Sequence, residues 1–178
     1  MKKFLKILFL AFSIALLLYV VLPNPPFPRP LPGALQSQEP ADTETPLRRA
    51  YFTDLTREEV MEYYKNQFSR SSFMGISLPT YRLNYPPEEA QTLIRDQTRS
   101  TFLEEIVHPF RESVFVNGFE PKLAKDVIFT SNKYWRQKII IRYVPSSPWV
   151  RIAVAIPTLI LIVVLVRELS SLKWRKNA

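Results

Sequence analysis

"LLLYVVLPNPPFPRPLP", residues 16–32, decides the architecture, because a greasy run stops at Leu22 and six prolines follow within ten residues. The apolar run begins at Phe4 and is broken only by Lys6. At ~1.5 Å per residue its ~19 residues reach roughly 28 Å, enough for a hydrocarbon core of about 30 Å. Lys6 lies one turn inside, where its stem can reach back to the headgroups. A cleaved secretory signal would share the basic Met1-Lys2-Lys3 start, but it would need small residues at its exit. Here the exit reads Tyr19-Val20-Val21-Leu22-Pro23. The expectation is an uncleaved signal anchor over residues 4–22, behind a short cytoplasmic N-terminus of residues 1–3.

A second apolar stretch, "WVRIAVAIPTLILIVVLV", covers residues 149–166 and carries no charge from Ile152 to Val166. A soluble domain of this size seldom offers a helix that is apolar on every side, so a second span is expected over a buried core helix. Lys6, Trp149, Arg151 and Arg167 are the expected membrane-interface anchors, the tryptophan in the interfacial belt and both arginines snorkelling outward. Lys2, Lys3 and Lys6 precede the first span, and Arg167, Lys173, Arg175 and Lys176 follow the second. That asymmetry places both termini, including a basic tail of residues 167–178, in the cytoplasm, and everything between outside, in a periplasm or at a cell surface.

The formal charge of +8 follows the same logic. From Pro23 to Val150 there are 16 Lys and Arg against 15 Asp and Glu, so the excess sits at the membrane flanks. This speaks for a lipid bilayer as partner and against nucleic acid. Cysteine is absent, so the exported part must be held by its own core, which mildly favours a bacterial envelope.

Residues 23–48 read as a Pro-rich extracytoplasmic linker, extended at first and disordered later. Residues 49–147 read as one α+β domain with two helices and a mainly antiparallel sheet. "LTREEV" marks a helix start, with Thr56 as N-cap, Glu59 closing a capping box, and Leu55 and Val60 as a staple. Val60, Met61, Tyr64 and Phe68 then form its inner face. Tyr63 and Tyr64 are read as packing groups in preference to a binding surface. "FMGISLPTYRLNY", residues 73–85, reads as an edge or bent strand because of Pro79. "PPEEAQTLIRDQT" predicts a second helix with Ala90, Leu93 and Ile94 inward. Residues 100–107 fit strand or helix, and strand is preferred. Asn117-Gly118 suggests a turn, residues 126–144 two strands around Ser131-Asn132-Lys133, and Ile139-Ile140-Ile141 burial on both faces.

The chemistry is sparse. Without cysteine there is no thiol nucleophile, and with one histidine, His108, there is no two- or three-His metal centre. Three glycines, Gly33, Gly75 and Gly118, cannot build a phosphate-cradling loop. Glu104 and Glu105 point to opposite faces of a strand; Glu58, Glu59 and Glu62 read as a solvated helix face. His108 beside Pro109 is expected to be structural or exposed. Most aromatics suit a core, with Trp135 the candidate for an exposed binding aromatic. No catalytic, cofactor or metal residue is assigned.

The layout is similar to that of polysaccharide chain-length regulators, which also place an exported domain between two spans and carry prolines by the second. The similarity covers topology and Pro145, Pro148 and Pro157. The expectation is a non-enzymatic membrane-anchored interaction or scaffold module of an envelope complex, whose partner is another membrane or envelope protein or a second copy. The alternative is a glycan-binding or chain-length-regulating module; a small oligomeric channel or an enzyme subunit comes third.

Overall fold

The computed structural model describes residues 2–69, 77–89 and 100–176. They form two compact units, one of residues 1–24 with 146–178, the other Pro25–Pro145. Three α-helices are described: Lys2–Val21 (α1), Arg57–Ser69 (α2) and Pro148–Lys176 (α3). The fold is α+β, with a mostly antiparallel sheet.

In the first unit α1 and α3 pack against each other. Lys3–Val21 and Pro148–Ser171 both have a mean hydropathy of 2.6 and are long and apolar enough to cross a membrane. Apolar side chains along both, among them Phe4, Leu8, Ile160 and Leu161, are exposed, as expected of surfaces whose solvent is lipid. Where α1 ends, the last carbonyls lack helical partners, and Pro23, Pro25 and Pro26 have no N–H to offer. Arg151 fills the gap. Its guanidinium donates to the Leu22 carbonyl at 3.3 Å and to Asn24 Oδ1 at 2.7 Å, while Asn24 Nδ2 donates to the Ser146 carbonyl at 2.8 Å.

The second unit is built on a six-stranded sheet. Its strands are Leu35–Gln36 (β1), Arg48–Thr53 (β2), Tyr81–Tyr85 (β3), Phe102–Val107 (β4) and Ser113–Phe119 (β5), with Ile128–Thr130 (β6), Lys133–Trp135 (β7) and Gln137–Val144 (β8) following. The order is β1-β2-β8-β5-β4-β3, and every pair is antiparallel. β6 and β7 form a separate hairpin. The last strand is enclosed on both sides, since Ile139, Ile140 and Ile141 are all buried. Residues 100–107 contain strand, as their β-branched and aromatic content favoured.

Helix α2 starts where expected. The Thr56 N–H donates to Glu59 Oε2 at 2.7 Å, and the Glu59 N–H reaches Thr56 Oγ1 at 3.3 Å, which closes the capping box. Val60, Met61, Tyr64 and Phe68 are buried in one cluster with Phe102, Ile106, Val114, Val116, Ile139 and Ile141. The helix therefore covers one face of the sheet.

Three expectations are corrected. Residues 23–48 are not a free linker, for from Pro25 onward they form a strap on this unit. Phe27 packs on the core, Leu31 is 3 % exposed, and Leu35–Gln36 pairs with β2. The Tyr143 hydroxyl donates to the Pro25 carbonyl at 2.9 Å, and Tyr63 to Pro30 at 2.9 Å. Lys138 clamps Glu39 at 2.8 Å and Asp42 at 2.7 Å. The few apolar groups of a proline-rich segment suffice here because the core offers each a place. Second, Asn117-Gly118 is no turn but lies inside β5. Third, residues 126–144 hold three strands, with Ser131 (φ 53°) and Asn132 (φ 57°) making a two-residue hairpin turn. The helix expected over Ala90, Leu93 and Ile94 and the start of the stretch 73–85 lie outside the described residues.

Candidate functional site

Two ionic clusters are buried in the domain. Strand period puts Glu104 on the same face as Phe102 and Ile106, under α2, and its side chain is fully enclosed. Arg57 Nε donates to Glu104 Oε1 at 2.6 Å, and Arg82 reaches both carboxylate oxygens through Nε and Nη2. Arg82 also holds Glu58 at 2.8 and 3.2 Å, so Glu58 is not merely a solvated helix charge. Those bonds keep the Glu58 carboxyl below its usual range. The neighbouring Glu105 faces the other way and accepts from the Tyr85 hydroxyl at 2.6 Å.

The second cluster surrounds His108, which is fully buried and stacked on Phe68 at 4.1 Å. Its Nδ1 bonds Glu112 Oε1 at 2.8 Å and its Nε2 meets Thr80 Oγ1 at 3.1 Å. Arg111 donates to the same Glu112 oxygen at 3.0 and 3.2 Å. Burial pushes the Glu112 carboxyl up, but the bonds from His108 and Arg111 outweigh it and leave it below its usual range. A hydroxyl, an imidazole and a carboxylate in line resemble a proton relay. Here the imidazole is sealed from solvent, and the Thr80 hydroxyl is aimed at the Leu78 carbonyl at 3.0 Å. What the cluster does is fix the turn between β4 and β5, across which the His108 N–H donates to the Glu112 carbonyl at 3.0 Å. Among the described residues no group of three or more His, Cys, Asp or Glu is placed to hold a metal ion.

The surface feature is the β6–β7 hairpin. Phe129 and Tyr134 stand opposite each other across it, 55 % and 67 % exposed, with their rings 4.7 Å apart. Leu123 and Val127, just before it, are also exposed, and Lys122 and Lys125 lie beside them in solvent. Lys133 pairs with Asp54 at 2.5 Å, and Arg136 with Glu120 at 2.8 Å. Trp135, the expected exposed aromatic, is only half-exposed. Its indole N–H donates to the Thr130 carbonyl at 3.3 Å and the Lys133 ammonium covers its ring at 4.0 Å. Phe129 and Tyr134 are the solvent-facing aromatics of the hairpin, because alternation along each strand turns them to the opposite side from Trp135.

The expected interface anchors fall into two groups. Lys6, Trp149 and Arg167 are exposed on their helices, whereas Arg151 is 7 % exposed and turned inward to the end of α1. Arg151 does not snorkel outward. Asn24 was the missing partner, and its position just after the first apolar run was the available signal.

Comparison with family models, with curated proteins and with solved structures finds no match for this chain.

Proposed function

We propose that this chain is a non-enzymatic, membrane-anchored interaction module, an accessory part of an envelope complex. In this reading α1 and α3 span the membrane, both termini are cytoplasmic, and the domain of residues 25–145 stands on the outer face. The observation that carries the interaction role is the β6–β7 hairpin. On it Phe129 and Tyr134 stand together in solvent, ring against ring, beside the exposed Leu123 and Val127 and the exposed Lys122 and Lys125. Aromatic side chains are enriched among the anchors of protein interfaces.

The test is the double substitution Phe129→Ser with Tyr134→Ser in the full chain, followed by cross-linking in intact cells and identification of what co-purifies. Loss of a protein partner with an unchanged melting temperature is expected. Unchanged recovery of every partner, or capture of glycan alone, would overturn the assignment. Single cysteines at Ser131 and Ser171, challenged with an impermeant maleimide in intact cells, test the topology; labelling is expected at Ser131 only.

A further inference from the structure

The end of the sheet opposite the hairpin carries its own unexplained surface. In the turn between β4 and β5, Phe110 is 80 % exposed and sits at φ 61°. A bulky residue in left-handed backbone is a strained outlier, and the buried His108–Glu112–Arg111 cluster holds it there. The register identifies its neighbours. Ser113 pairs with Val144, and Val107 with both Ser113 and Tyr81. The Tyr143 N–H donates to the Leu47 carbonyl at 2.9 Å. Leu47, Val144, Phe110 and Tyr81 thus line one end of five successive strands, and all four are exposed, at 37 %, 39 %, 80 % and 57 %.

Both chain exits lie at this same end. Val144 is separated from α3 by Pro145, Ser146 and Ser147, and Pro25, held by the Tyr143 hydroxyl, is separated from α1 by Leu22, Pro23 and Asn24. Such links span at most about 14 Å when fully extended. The headgroup zone on each side of a bilayer is roughly 5–8 Å deep. Two short tethers at one end leave little room to lift that end clear of the lipid surface.

We infer that this end of the domain is a lipid-contacting rim, on which Phe110, flanked by Leu47, Val144 and Tyr81, inserts into the headgroup zone of the bilayer that α1 and α3 cross. The inference rests on the spanning reading of those helices and not on the partner assigned to the hairpin. An aromatic ring is well suited to that depth. The stiff turn presents it without the entropy cost of ordering a loop, and the exposed Arg142 adds attraction to anionic headgroups.

The chain has no cysteine, so single probes are clean. Phe110→Cys, Val144→Cys and, at the far end, Tyr134→Cys are each made in the full chain and labelled with an environment-sensitive nitrobenzoxadiazole dye. They are reconstituted into phosphatidylcholine–phosphatidylglycerol vesicles carrying headgroup-depth nitroxide lipids. The rim predicts blue-shifted, nitroxide-quenched emission at positions 110 and 144 and water-like, unquenched emission at 134, unchanged when lipid is added in excess over protein. Water-like emission at 110 and 144 in protein that stays with the vesicles through alkaline carbonate overturns the rim alone. Loss of protein from the vesicles in carbonate overturns the spanning reading and the rim with it. Quenching that disappears as protein is diluted in lipid assigns the surface to a second copy of the chain and overturns the rim. Val144→Cys carries the test if the Phe110 variant does not fold.

Discussion

Gly118 lies directly across from Phe102 in the β4–β5 ladder, and the phenyl ring occupies the space that a side chain on Gly118 would need. The glycine is required by packing, not by a turn. Gly118→Ala should therefore destabilise the domain by about 1–3 kcal/mol, the usual cost of overfilling a core. The check is thermal unfolding of the detergent-solubilised chain followed by circular dichroism. Phe102→Leu introduced into Gly118→Ala should recover part of the loss, because a smaller side chain vacates the contested volume. Equal melting temperatures for wild type and Gly118→Ala would show that the two strands separate freely.

Glu104 is the charge on which α2, β3 and β4 converge, since Arg57 comes from the helix and Arg82 from the edge strand. Glu104→Gln keeps the shape and removes the charge. The two guanidinium groups are partly exposed, with 37 % and 31 % side-chain accessibility, so they can turn to water. The cost should then fall below that of a fully buried broken pair, at about 1–3 kcal/mol. Glu58→Gln, on the solvent side of the same Arg82, should shift the melting temperature much less. A reversed ranking in chemical denaturation would mean that the buried carboxylate is not the organising charge.

These two residues mark what the sequence could and could not tell. The core face of α2 was legible because capping and periodicity are local, and Val60, Met61, Tyr64 and Phe68 needed no knowledge of the sheet. Gly118 was misread for the opposite reason: its meaning depends on Phe102, sixteen residues away, and Asn-Gly looks the same in a turn and in a strand. The strap was missed because prolines and polar residues signal an extended chain, which it is, without saying that grooves exist for Phe27 and Leu31. Glu104 could have been found, since period-two alternation places it between Phe102 and Ile106. The exposed hairpin was half legible, its turn visible in Ser131-Asn132 and its outward face assigned to the wrong aromatic.

Acid should expose the second cluster. The Glu112 carboxyl lies below its ordinary value in the folded chain because the bonds from His108 and Arg111 outweigh burial. A depressed carboxylate contributes stability that is present above its unfolded value, about 4.3, and is lost as pH falls through the folded value. The melting temperature of wild type should therefore exceed that of Glu112→Gln at pH 6–7, and the gap should close below about pH 4. The measurement is a pair of melts across pH 3–7. A gap that stays constant would show that folding does not depress the Glu112 carboxyl, and one that widens in acid would show that burial outweighs the bonds and raises it.

The strap gives the last prediction. Leu31 is 3 % exposed, Phe27 meets the Tyr143 ring edge-on at 6.4 Å, and β1 extends the sheet beyond β2. Residues 25–47 are thus part of the folding unit, and a fragment of residues 25–145 should melt cooperatively while one of residues 48–145 should not. Within the longer fragment Leu31→Ala should cost about 2–5 kcal/mol, the range for deleting a buried leucine side chain. Replacing Pro26 and Pro28 by Ser should cost less, because their loss acts mainly on the unfolded chain. The result also decides the reach of the domain. If the strap is docked, three residues at each exit tie the domain to its helices. If the 48–145 fragment melts within a few degrees of the longer one, the strap contributes little. It could then peel away as a slack tether of some twenty residues, and the rim bearing Phe110 would no longer be confined to the lipid surface from that side.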